Sequence, residues 1–147
     1  MLNHTGITKV TGAAPVQILF NVDNQMSVSI KVSKSVTGTV TENGRKILKA
    51  GTPLNGDLTA RGTAFVNAVD NTASSGASNG KPAVGVLLHD VDVTDADANG
   101  SLLIWGFVNL SRLSTGATTL LTAARQTELA GKVWVPKGGG IKKRSGS

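Results

Sequence analysis

The chain has no cysteine and no tyrosine, and its 147 residues include only three phenylalanines, two tryptophans and two histidines. Without cysteine there is no disulfide framework and no thiolate metal site. With so few aromatics, valine, leucine, isoleucine and alanine must supply the buried area, so the core of one chain is thin. A thin core over short strands is often completed by association between copies, which removes apolar surface from water at about 25 cal/mol per Å². No run approaches the roughly 18 apolar residues of a membrane helix, and Met1 to Thr11 has neither the basic nor the apolar stretch of a secretory signal. The expectation is a soluble protein, made in the cytoplasm and without membrane contact.

Charge of one sign is scarce on most of the chain. The formal net charge is +6, but Lys137, Lys142, Lys143 and Arg144 contribute +4 of it in the last eleven residues, where there is no acid. The preceding 136 residues hold eleven basic against nine acidic side chains, or +2. A nucleic-acid domain concentrates positive charge on its fold and interleaves aromatics for stacking. Here the charge lies on a glycine-flanked tail, so no specific nucleic-acid partner is expected.

What is present is the pattern of a mainly β protein. Met1 to Pro15 is polar and without period, the composition of an extended arm, and Val16 to Phe20 is a short apolar run. From Ser27 to Val32, Val28, Ile30 and Val32 alternate with polar residues, the period of a half-buried strand, and this strand has no obvious partner. Asn43-Gly44 is a strong hairpin signal before a strand starting near Ile47. Pro53 marks a strand edge or kink. Thr63 to Val69 reads as another strand, Asp70 to Lys81 as a small polar surface loop, and Ala83 to Leu88 as a strand buried on both faces. Ser101 to Leu110 is its expected antiparallel partner. One short helix is expected near Thr118 to Leu129, stopped by Gly131, with a last strand at Val133 to Val135.

Several constellations invite a chemical reading and fail it. Asp95, Asp97, Asn99 and Gly100 match the first half of a calcium loop, but the bidentate Glu of the second half falls on Gly106 inside a strand. Asp90 and Asp92 stand two apart on one face, yet no sugar platform accompanies them, and Trp105 and Trp134 both sit in apolar strand settings. His4 and His89 without cysteine make no structural zinc site. No G-x-S-x-G elbow surrounds a serine, and Gly76 to Pro82 has the wrong spacing for a phosphate loop. The reading is of a non-enzymatic protein with no catalytic residue, no cofactor and no metal.

The blocks AGTPL at Ala50 to Leu54 and AVGVL at Ala83 to Leu87, continued by Gly100 to Leu110, resemble the head decoration (capsid cement) proteins of tailed bacteriophages, of the lambda type. The resemblance spans roughly Lys46 to Val135. It implies a small β-barrel or β-tulip-like domain with one short C-terminal helix and an extended N-terminal arm. It further implies a structural virion protein that binds the outer surface of the capsid as a homotrimer and stabilises the expanded head, with the major capsid protein as its partner. Residues 1–46 would form the capsid-contacting arm and hairpin region, 47–136 the decoration core and 137–147 a basic tail. Val16, Ile18, Phe20, Val28, Ile30 and Val32 are the expected capsid-contact residues. The long region from Val16 to Lys46 departs from the smallest members, and leaves open the base or adhesive module of a head fiber that binds host-surface glycans.

Overall fold

A computed structural model describes residues 17–20, 22–70 and 80–136. The arm from Met1 to Pro15, Val16, His4, most of the Asp70 to Lys81 loop and the basic tail lie outside the described residues. In chain order the elements are β1 (Met26–Val32), β2 (Val40–Glu42), β3 (Arg45–Leu48), β4 (Pro53–Asn55), β5 (Val66–Asn67), β6 (Gly85–Leu87), β7 (Val91–Asp92), β8 (Ala98–Phe107), α1 (Thr115–Leu120), α2 (Ala123–Glu128) and β9 (Val133–Trp134). The mainly β class read from the sequence is the class observed.

The larger sheet has the order β1-β8-β6-β4-β5, with β9 beside β8, and the smaller sheet the order β2-β3-β7. β8 is the organising strand. It pairs antiparallel with β1 along the length of β1, antiparallel with β6 at Leu102 and Leu103, and parallel with β9 at Gly106 and Phe107. The expectation that Ser27 to Val32 lacks a partner is therefore corrected: β1 lies against the longest strand of the domain, and its inward residues need that cover. Phe65, just before β5, bridges Val32, and it exchanges main-chain hydrogen bonds with Lys31 and Ser33. The sheet thus curls towards closure, but no continuous ladder joins β5 to β1 and no closed barrel forms among the described strands.

Two apolar clusters flank this sheet, divided by neighbouring residues. Leu102 points into a cluster with Ile30, Val32, Leu54, Phe65 and Leu87, closed from the other side by Leu48, Val91 and Val93 at the smaller sheet. Leu103 points into a second cluster with Ile18, Leu19, Val86, Val108 and Val133, closed by Leu121 and Leu129 of the helical segment. Both faces of the sheet are covered here, which is why β6 is buried at all its residues.

Local chemistry sets the turns. The β2–β3 hairpin has a two-residue loop with Asn43 at φ +51° and Gly44 at φ +78°, the left-handed pair that matches strand twist. This hairpin spans the expected boundary at residue 46, and the described β1 and β3 on either side of the hairpin turn pair with β8 and β7. Pro53 opens β4, an interior strand, where its missing N–H is tolerated at the first position. The single expected helix is two: Ser114 caps α1 by accepting from Ala117 N–H, and Thr122 caps α2 by accepting from Arg125 N–H.

Candidate functional site

The acidic residues around β7 are engaged in the architecture. Asp92 accepts from the Arg45 guanidinium and from the hydroxyl and amide of Thr94. These donors hold its carboxyl at about 2, below the ordinary 3.8, with the Arg45 hydrogen bond the largest cause. Asp90 accepts from Lys49 Nζ at 2.5 Å and from the Ala50 amide at 2.8 Å, and pushes the Lys49 ammonium above its ordinary 10.5. Asp97 accepts from the Lys34 amide at 2.9 Å, and Asp95 lies 3.5 Å from Arg45 Nη2. The acids thus fasten the β2–β3 hairpin and the end of β1 to β7 and the residues on either side of it. They converge on no common point, and no cluster of three metal-ligating side chains occurs among the described residues.

Of the residues expected at a capsid contact, Ile18, Ile30 and Val32 have at most 3% of their surface exposed. They belong to the domain core and offer nothing to a partner. Val28 is partly buried at the margin of the Leu102 cluster, and Val16 lies outside the described residues. Of the five that are described, Phe20 alone is largely exposed, at 53%.

Phe20 is one corner of a surface that the sequence reading missed. Its amide donates to the Phe107 carbonyl at 3.0 Å, which sets it beside the end of β8. Met26, 58% exposed, is opposite Trp105, 40% exposed, across the β1–β8 pairing. Phe107 is opposite Trp134, 36% exposed, across β8–β9. The rings touch: Phe107 stacks on Trp134 with centroids 5.1 Å apart, and Trp105 meets Trp134 edge to face at 5.7 Å. Phe20 and Met26 form one margin, Trp105 and Phe107 the middle, and Trp134 the other margin. Four of the chain's five aromatic residues are on this face, and only Phe65 is in the core.

A bulge makes the face. Met26 is paired with Trp105 and Ser27 with Leu103, which leaves Ile104 unmatched. Strict alternation would send Leu103 and Trp105 to the same side of β8. The extra residue breaks that alternation, so Leu103 stays in one cluster, Ile104 packs at the edge of the other, and Trp105 and Phe107 emerge on the surface. The expectation of Trp105 and Trp134 as strand residues in apolar settings holds for their strands but not for their side chains, which meet solvent.

The grooves are shallow and open, with more apolar than polar lining. The one beside Trp134 runs between β9 and α2 past Gln126 and Thr127, with a volume of about 370 Å³. Gln126 donates to the Leu121 carbonyl and Thr127 to the Ala123 carbonyl. His89 is exposed just beyond β6 and belongs to no metal-ligating cluster among the described residues. No helix among the described residues is long and apolar enough to cross a membrane. Comparison with known protein families finds none that matches the chain, and comparison with curated proteins finds no match.

Proposed function

We propose that this chain is a structural protein of a tailed-phage virion, which binds the outer surface of the capsid as a trimer and stabilises the expanded head. The observation that carries this reading is the placement of the three segments that resemble decoration proteins. AGTPL supplies the start of β4, AVGVL supplies β6, and Gly100 to Leu110 supplies most of β8. These strands are side by side, with Pro53 opposite Val86, Leu54 opposite Gly85, and Val86 opposite Leu103. The segments, far apart in sequence, form the centre of one sheet, and this adjacency supports the reading.

The domain is an attachment device whose acids serve ion pairs and turns. A route to the shell is the outer edge of β1, which ends the larger sheet. Phe65 covers that edge at Lys31 and Ser33, and Arg61 Nη1 reaches the Ser29 carbonyl at 3.3 Å. At Ser27 to Ser29 no strand among the described residues pairs with that edge, and an extended segment of a capsid subunit can add there. A trimer that fills a depression between capsid subunits ties its neighbours together, and many copies on one lattice give avidity to contacts that are individually weak.

Co-sedimentation with undecorated, expanded capsids tests the reading: the protein should pellet at a fixed ratio to capsid subunits and raise the temperature at which shells break. Failure to bind expanded shells would remove it. The exposure of Trp105 and Trp134 favours a second reading, a glycan-binding module at the base of a head fiber. Binding on a glycan array that is lost in Trp134→Ala, with no binding to shells, would establish that alternative.

A further inference from the structure

We infer that the aromatic face of Phe20, Met26, Trp105, Phe107 and Trp134 is the contact between copies of this chain. The margin bearing Phe20 and Met26 would pack on the Trp134 margin of the next copy. The contact rests on the geometry of the face, and only the number of copies, three, rests on the function proposed above.

Two observations favour a second copy over other occupants, and area sets the strength of the contact. The first is charge. Every copy carries the same net +6, so surfaces that meet in self-association must be free of like charge. None of the five side chains of the face is ionisable.

Ring geometry is the second. Phe107 covers one face of Trp134 and Trp105 is edge-on to it, so the rings form a contiguous apolar relief and not a set of separate flat platforms for sugar rings. A relief of this kind suits another protein surface, and a flexible thioether such as Met26 adapts well against an indole.

Area limits the strength. With four of the five side chains between 36 and 58% exposed, the face presents roughly 400 Å² of apolar surface. That is about half of the roughly 800 Å² per partner that a stable interface buries. The association is therefore weak and concentration-dependent in solution. The two margins differ in composition, so a head-to-tail ring buries both margins of every copy.

The chain supplies its own probe, because Trp105 and Trp134 are its only tryptophans and both lie in the face. Sedimentation velocity of the full chain across a concentration series should show its mass rising from monomer towards trimer. Tryptophan emission should shift to the blue, with reduced acrylamide quenching, over the same range. Met26→Lys and Phe20→Lys replace side chains that are more than half exposed, so the fold tolerates them. Each should weaken association about tenfold or more, as loss of a central interface residue does, and hold the emission at its monomer position. A chain that stays monomeric at the highest concentrations, or one whose association is unaffected by both lysine variants, overturns the inference. Association to a dimer that the lysine variants abolish upholds the contact and removes the count of three, without bearing on capsid binding. A blue shift produced by glycans in place of self-association would assign the face to a carbohydrate and overturn the inference.

Discussion

Trp134 stacks on Phe107 with their planes inclined by 21°, joining the last strand of the domain to its longest one on the outside of the sheet. The same register places Val133 against Gly106, and Val133 points inward to Leu103 and Leu129. One two-residue strand therefore serves both surfaces: its valine closes the core, and its tryptophan covers nothing further. The division of aromatics between surface and core follows from this, since Phe65, with no exposed surface, is the one ring that the interior uses.

That division predicts an unusual order of mutational costs. Phe65→Ala should destabilise the fold by about 3–5 kcal/mol, the usual cost of removing a buried ring. Trp134→Ala should cost only about 1 kcal/mol, because the ring loses a stacking partner and a partly exposed site. Urea denaturation below the concentration of self-association distinguishes them. Equal costs for the two would mean that Trp134 is part of the core.

Acid sensitivity should trace in part to Asp92. Its carboxyl is held at about 2 in the folded chain, against 3.8 without partners. A lowered carboxylate pKa contributes stability that is fully present above the unfolded value and is lost as pH falls through the folded one. The contribution therefore fades between about pH 4 and pH 2. Asp92→Asn should lower the melting temperature at pH 6, and the gap to the parent chain should close as the pH approaches 2. A gap that stays constant across this range would show that the pairing with Arg45 adds no pH-dependent stability.

Much of the fold was legible because the deciding signals were local. Asn43-Gly44 admits few turns other than the one observed, and the alternation over Ser27 to Val32 and the apolar run at Val86 and Leu87 each allow only one state of burial. The partner of β1 was not legible, since pairing across some seventy residues leaves no periodic trace. The second helix was hidden because Leu121 and Thr122 interrupt a stripe that reads as continuous. The aromatic face was lost at one residue: the bulge at Ile104 reverses the side to which Trp105 points, and a count of alternation has no means of detecting an unmatched residue. The outward turn of Trp105 and Phe107 is a property of that slip and not of composition.

Glycine has different duties at two positions, and alanine should separate them. A Cβ on Gly85 would stand 2.5 Å from the Leu103 carbonyl oxygen and 2.8 Å from Leu102 Cγ, where β6 crosses the centre of the sheet. Gly85→Ala must push two central strands apart, at a cost of about 1–3 kcal/mol or more. At Gly44 a Cβ meets nothing within 4 Å, but φ is +78°. Gly44→Ala should cost about 1–2 kcal/mol, the penalty of a left-handed backbone. Replacing Gly44 by Asn, which tolerates that conformation, should recover most of the loss, whereas Asn at Gly85 should be worse than Ala. Recovery at both positions would refute the steric account of Gly85.

The last prediction concerns Arg125, whose side chain is 3% exposed although it carries a charge. It donates to Asp70, to the Lys81 carbonyl at 3.2 Å, and lies 2.8 Å from Glu128. Glu128 accepts in turn from the Ala83 amide at 2.8 Å. Val69 and Lys81 exchange two main-chain hydrogen bonds of 2.8 Å, so the arginine pins both strands at the base of the loop to α2. The partners are unequal, since Asp70 is 54% exposed and Glu128 27%. Asp70→Asn alone should cost less than about 1 kcal/mol, as water and Glu128 still compensate the cation. Asp70→Asn combined with Glu128→Gln leaves a buried charge without a counter-ion and should cost about 3 kcal/mol or more. Arg125→Met removes the charge and keeps much of the packing, so it should be milder than the double change although it deletes every hydrogen bond of the guanidinium. Chemical denaturation of the three variants gives the order directly. If Arg125→Met proves the most damaging, the hydrogen bonds to the loop base, and not the balance of charge, hold this corner of the fold.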